Sequence, residues 1–269
     1  MKRTIIQYTT VVLAFLAGMI FMTYMTRMGN RDMTGDMAQA QLPVVYAEQD
    51  GVLYNEMHGY VEDMDGASMR DSVIGVSEDH KVGLALEKYN AQIKSVSYEV
   101  RSLDMSRLIE GGDDLQAEDD GKYLHVSLTL KDLLTQREEY LLVLKVQTED
   151  QDLVRFYSIL TYLGTNHVQD CVDFAQRFHE MTLTGDSDGV LNYLEQDGSM
   201  DGKNLGYINI HSRSGPVTWG DMQVVETGET SLRFTELESD ITALTMEYQV
   251  TNTETSEQYQ VREAYRLRY

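Results

Sequence analysis

Over 269 residues the chain carries 44 acidic against 22 basic side chains, for a formal net charge of −22, and 42% of its residues are hydrophobic. That apolar fraction is enough for packed cores and excludes a disordered tail. The acidity excludes nucleic acid as a partner; beyond keeping the protein soluble, it favours cations or a basic partner.

Cys171 is the single cysteine, so no intrachain disulfide can form. Together with the lack of any Asn-x-Ser/Thr acceptor, this suits a Gram-positive or anaerobic envelope better than a eukaryotic secretory route. The first segment departs from the acidic average. Residues 1–31 hold Lys2, Arg3, Arg27 and Arg31 and no acid, and Ile5–Met25 (IIQYTTVVLAFLAGMIFMTYM) is free of charge. A helix of that length spans roughly 30 Å, the thickness of the hydrocarbon core. Lys2 and Arg3 favour a cytoplasmic N-terminus. Ala38-Gln39-Ala40 resembles a processing site, but Arg27, Arg31, Asp32 and Asp36 stand between it and the apolar run. The expectation is a retained anchor in the cytoplasmic membrane: residues 1–26 as cytoplasmic tip and transmembrane helix, 27–41 as a stalk, and an extracytoplasmic ectodomain beyond.

From Leu42 the pattern becomes β, and residues 42–164 read as a β-sandwich domain. Leu42–Tyr46 and Val52–Met57 flank a turn ending in Asp50-Gly51, a hairpin pair. Val96, Tyr98 and Val100 alternate, as do Leu124, Val126, Leu128 and Leu130. Glu139–Val146 is a nearly continuous apolar run, the mark of a central strand, and Val154–Leu163 follows an acidic turn. Lys81–Tyr89 is ambiguous, and Asp113–Asp120 reads as an acidic loop. Leu134, Tyr140 and the run to Val146 resemble the corner of fibronectin type III and related immunoglobulin-like sandwiches. There a tyrosine hydroxyl bonds back to the preceding connection. The early Trp usual in fibronectin type III domains is absent.

At Gly164-Thr165-Asn166 period 2 gives way to a helical period, opening an α+β domain over 165–269. Cys171, Phe174, Phe178 and Met181 share one helical face, flanked by Val168 and Ala175. Asp186–Asp188 reads as the cap of a second helix through Val190, Leu191 and Leu194. Strands are expected at Leu205–His211, Val217–Val225 and Leu232–Glu236. Two longer ones follow, carrying Leu244 to Val250 and Tyr259 to Tyr269, joined by the polar turn Thr251–Gln258. Two helices and an antiparallel meander suit a roll, of nuclear-transport-factor or cystatin type. Tyr269 falls inside a strand pattern, so the natural chain is expected to continue.

Candidate chemistry is sparse. Gly185-Asp186-Ser187-Asp188-Gly189 matches Gly-x-Ser-x-Gly, but a helix precedes it where a nucleophile elbow needs a strand; a capped turn is the expectation. Cys171 has His167 and His179 within helical reach, yet shares its stripe with phenylalanines, as a small buried hydrophobe does. The six histidines form no close ligand spacing. Glu62, Asp63 and Asp65 before Gly66, and the acids of 113–120, have the flavour of calcium loops without the alternating ligands of a helix-loop-helix site. Asp63 and Asp65 are named as metal candidates, and a solvated acidic loop is the expectation at both places. Gly198–Lys203 (GSMDGK) falls one residue short of a phosphate-binding loop and lacks its frame. Arg262, Arg266 and Arg268 are expected to pair across the sheet with acids such as Glu247, and Trp219 to pack in the core. No catalytic residue and no cofactor is assigned.

The stretches LPVVYAEQDGVLYNEMHGYVEDMDGASMRDS, EEYLLVLKV, VDFAQRFHE and VREAYRLRY resemble an uncharacterised group of single-span, envelope-facing proteins of clostridial bacteria. The resemblance implies the same localisation and brings no activity with it. The expected function is a non-enzymatic binding or accessory module of the envelope with a protein partner there. The alternative is an enzyme or binding protein acting on wall polymers through paired carboxylates.

Overall fold

The computed structural model describes residues 13, 15–23, 42–70, 72–113, 115–131, 134–149, 153–165, 167–197 and 206–268. Residues 1–40 and 41–269 form two separate units. In the first, Leu13 and residues 15–23 are helical, with Phe15 and Met22 exposed. No helix among the described residues is long and apolar enough to cross a membrane. The remainder of the expected span and the expected stalk at 27–41 lie outside the described residues.

The second unit is mainly β and holds three sheets. Its strands are β1 (Val44–Gln49), β2 (Val52–Met57), β3 (Val73–Ser77), β4 (Lys81–Glu87), β5 (Ile93–Arg101), β6 (Leu108–Gly112), β7 (Ala117–Asp119), β8 (Tyr123–Thr129), β9 (Glu139–Thr148) and β10 (Leu153–Gly164). Helices α1 (Val168–Thr184), α2 (Ser187–Leu191) and α3 (Ser214–Val217) follow. Strands β11 (Val224–Leu237), β12 (Ile241–Asn252) and β13 (Gln258–Arg268) end the chain. The first sheet runs β2-β1-β4-β8-β7, the second β3-β10-β9-β5-β6 and the third β11-β12-β13. Strand β3 lies parallel to β10, while every other pairing is antiparallel.

Local chemistry sets the joints. Asp50 and Gly51 adopt φ of 51° and 83°, the left-handed pair that closes a two-residue hairpin with Gln49 opposite Val52. The Tyr140 hydroxyl accepts the Thr135 N–H at 2.9 Å and donates to Glu138 at 3.0 Å. This corner turns the chain into β9. Strand β9 is buried on both faces because the β2–β3 connection covers its outer side. Met64 N–H donates to the Tyr157 hydroxyl at 3.1 Å, and Gly66 lies directly against Leu141 and Met105.

The third sheet joins the other two through β11. Phe234 meets Tyr54 edge to face at 5.2 Å, and both belong to one hydrophobic cluster running from Val45 to Val250. Asn55, fully buried with φ 53°, ties three strands together: its Nδ2 donates to the Val73 carbonyl (2.8 Å) and its Oδ1 accepts the Phe234 N–H (2.7 Å). The expected boundary at 164–166 falls between β10 and α1, and the core continues across it.

Several expectations are corrected. Lys81–Glu87 is strand, and the acidic loop contains the short β7. Residues 206–211 form turns instead of a strand, with the His211 N–H donating to the Asn209 side chain at 3.0 Å. This local bond competes with any ladder. In place of a strand from Val217, α3 ends there and Trp219 takes φ 67° in the turn before β11. Trp219 is partly buried against the core.

Candidate functional site

The buried side of α1 consists of Val168, Cys171, Val172, Ala175, His179 and Thr182. The expected stripe of Cys171, Phe174, Phe178 and Met181 is therefore rotated: Phe174, Phe178 and Met181 are only half-buried. The reason is an aromatic cluster on the flank of the helix. Phe174 meets Tyr193 at 5.2 Å and Tyr265 at 6.2 Å, and Phe178 meets the same two rings at 5.9 and 6.0 Å. Satisfying those contacts turns His179 inward, where it is only 8% exposed.

Each strand of the third sheet presents a polar group to His179. Its ring lies edge to face on Tyr248 of β12 at 4.3 Å. Nε2 is 3.4 Å from Glu226 of β11, and Nδ1 is 3.6 Å from Glu263 of β13, a charge contact longer than a hydrogen bond. Glu263 in turn accepts the Tyr248 hydroxyl at 2.6 Å and the Tyr265 hydroxyl through its other oxygen.

Burial opposes the imidazolium, but the Glu263 carboxylate and then Glu226 outweigh it and raise the His179 pKa above 6.5. Burial, and then the charge of Glu263, push both tyrosine hydroxyls far up, so they stay protonated donors.

Beside this cluster opens a cleft of about 380 Å³ between the β1–β2 turn, α1 and the third sheet. Val52, Leu53, Leu232 and Met246 line it with apolar surface, and Gln176, Thr230, Glu226 and His179 with polar groups. A hollow of about 420 Å³ among Asp170, Asp173, Gln176, Arg177 and Glu180 runs along the exposed side of α1 and has no buried group. The cleft is the better site, because it combines an apolar wall with convergent polar groups and a perturbed titratable residue.

The two carboxylates that face the ring favour its charged form. Glu226 is the carboxylate acceptor that faces the cleft.

The residues singled out from sequence do not converge here, His179 excepted. Asp63 accepts the Tyr157 hydroxyl at 3.1 Å and lies 3.5 Å from Arg155. Asp65 accepts the Ser68 hydroxyl at 3.2 Å, closing the single turn at 66–68. Among the described residues, no group of three or more His, Cys, Asp or Glu is arranged to hold a metal.

In the Gly-x-Ser-x-Gly segment, Asp186 accepts the Gly189 N–H at 2.9 Å as the cap of α2, and the Ser187 hydroxyl meets that of Thr218 at 3.1 Å. His211 lies 2.9 Å from the Glu195 carbonyl and 3.4 Å from Asp197. Cys171 is wholly buried, and His167 sits 3.2 Å from Asp170. Arg262 donates to Glu247, directly opposite in register, at 2.6 Å, and Arg266 to Glu236 at 3.2 Å. The segment 198–203 lies outside the described residues.

Glu226, Glu263 and Tyr248 were missed as a group. One signal was present: Glu263 alternates in step with Val261, Tyr265 and Leu267, a charged residue at an inward position.

No family model matches this chain, and no curated protein does. Among solved structures, an engineered protein matches at 12% identity over 46% of this chain and 21% of its own, with a TM-score of 0.27. The chain thus spans about a fifth of that protein. CopC from Methylosinus trichosporium OB3b matches at 14% identity over 39% of this chain and 95% of its own, with a TM-score of 0.24. Neither likeness carries an argument about fold or activity.

Proposed function

We propose that this chain is a non-enzymatic binding module, held at the outer face of a bacterial cytoplasmic membrane by Ile5–Met25, that engages an envelope protein through the cleft over His179. One observation carries the reading: both nitrogens of a nearly buried imidazole face carboxylates, Glu226 at 3.4 Å and Glu263 at 3.6 Å. With a carboxylate facing each nitrogen, the ring holds Glu226 in place as the acceptor that a ligand meets. The cleft accepts an apolar side chain against Val52, Leu53, Leu232 and Met246, with a hydroxyl or amine reaching Glu226.

We read the two five-stranded sheets as an immunoglobulin-like sandwich. Support comes from the parallel β3–β10 edge, the strand orders and the Tyr140 corner. The remainder is a roll in which α1 lies across a three-stranded meander. The uncharged run with Lys2 and Arg3 before it supports the anchor.

The non-enzymatic part is tested by incubating the purified full-length chain, in mild detergent, with isolated wall polymer and measuring released soluble fragments. The expected result is no release above the blank. Release that Glu226→Gln abolishes overturns the reading in favour of a wall hydrolase.

A further inference from the structure

The outward face of the first sheet carries a second cluster, independent of the cleft. Register places Tyr46, Ala85 and His125 side by side across β1, β4 and β8, with Glu87 opposite Tyr123 in the next row. The Tyr46 and Tyr123 rings stand at 90° with centroids 6.2 Å apart, forming a corner. Glu87 lies beneath them with a side chain only 12% exposed. It accepts the Tyr46 hydroxyl at 3.4 Å and is hydrogen-bonded by Tyr89, whose ring is half-exposed.

A carboxylate so covered favours a cation beside it. Lys122 supplies one: its Nζ lies 4.7 Å above the Tyr123 ring, 3.6 Å from Glu87 and 3.8 Å from Glu229. An ammonium thus fits the corner by the two forces that select such groups, a ring face and a carboxylate. Lys122 is held by the Tyr123 ring and hydroxyl more than by either carboxylate. Both of its carboxylate contacts exceed hydrogen-bond length, and its side chain is 53% exposed.

The frame around it is rigid. His125 is bound on both sides, 2.7 Å from Glu48 and 3.1 Å from Asp120. Asp120 accepts the Lys122 and Tyr123 backbone N–H groups at 2.9 and 2.6 Å. Glu87 and Glu229 face one lysine, and the charge of Glu56 also reaches Tyr46 and Tyr89, so the patch keeps a negative balance, and a chain of net charge −22 draws cations toward it.

We propose that this corner binds an alkylammonium group, the cationic end of a lysine side chain on a partner chain, and that Lys122 occupies it until that ligand displaces it. The test uses the full-length chain in mild non-ionic detergent with isotope-labelled tyrosine rings. The probes are Nα-acetyl-lysine methylamide and its Nε-acetylated, uncharged counterpart. The charged probe is expected to give saturable shifts at Tyr46, Tyr89 and Tyr123, and the acetylated probe none. Lys122→Ala, an exposed change that leaves the sheet intact, is expected to tighten binding about tenfold by removing the internal competitor. Tyr123→Ala is expected to abolish the shifts at Tyr46 and Tyr89 while the Tyr140 signal stays in place. Equal shifts from both probes, or no saturable shift with Lys122→Ala, overturn the proposal.

Discussion

The Asn55 side-chain oxygen accepts the backbone N–H of Phe234 at 2.7 Å, across 179 residues of sequence. The same amide donates to Val73, so one fully buried side chain fastens β11 to β2 and β3. Its φ of 53° is a conformation that asparagine tolerates better than most residues. Replacing it by alanine leaves a buried N–H and a buried carbonyl without partners. Asn55→Ala is expected to destabilise the fold by about 2–4 kcal/mol. Urea unfolding followed by Trp219 fluorescence measures this, and a loss well below 1 kcal/mol, the scale of an exposed substitution, contradicts the fastening role.

The Tyr140 corner makes a smaller prediction. Tyr140→Phe keeps the ring in place and removes the acceptor of the Thr135 N–H. The expected cost is about 0.5–1.5 kcal/mol, the net worth of a hydrogen bond whose Thr135 end is open to water. The same unfolding assay reads it, and the loss is expected to be unchanged when Glu138, the other partner of the hydroxyl, is replaced by glutamine.

His179 has a folded-state pKa raised above 6.5, because Glu263 and Glu226 outweigh the effect of burial. A raised pKa contributes stability that is fully present below the unfolded value and lost as pH climbs through the folded one. The advantage of the wild type over His179→Gln is therefore expected to be largest below pH 6.5 and to shrink as pH rises above it. Glu263→Gln is expected to lower the imidazole pKa, seen by NMR titration of the ring. An advantage that grows with pH contradicts the charged assignment.

Cys171 is wholly buried on the inner side of α1. Thiol reagents are expected to label it only as fast as the unit unfolds, and labelling is expected to accelerate in urea in parallel with the loss of Trp219 fluorescence. Rapid labelling of the native chain contradicts its place in the core.

What was legible in the sequence was what local chemistry dictates. Asp50-Gly51 marks a hairpin because its φ angles suit few other pairs, and Tyr140 marks a corner because its spacing from the β9 run is local. The change of period at Gly164 and the Arg262–Glu247 pair could likewise be read in place. Features decided by distant partners could not. Residues 206–211 carry Tyr207, Ile208 and Ile210, strand formers by propensity, yet Tyr207 and Ile210 are exposed and no strand forms there. Val73–Ser77, with a glycine at its centre, is a strand only because β10 lies beside it. The His179 cluster draws on α1 and three strands, so no local spacing announces it, and the phenylalanines that looked like the core of α1 instead pack along its flank.

The proposed engagement of an envelope protein through the cleft over His179 is best tested in living cells. The most direct measurement places a photo-crosslinking residue at Leu53, on the cleft, and another at Thr255, in the exposed β12–β13 turn, of the tagged full-length protein in living cells. Mass spectrometry then identifies what each captures. One reproducible membrane-protein partner is expected from position 53, weakened by Glu226→Gln and not captured from position 255. Capture of wall glycan alone, or the same products from both positions, contradicts it.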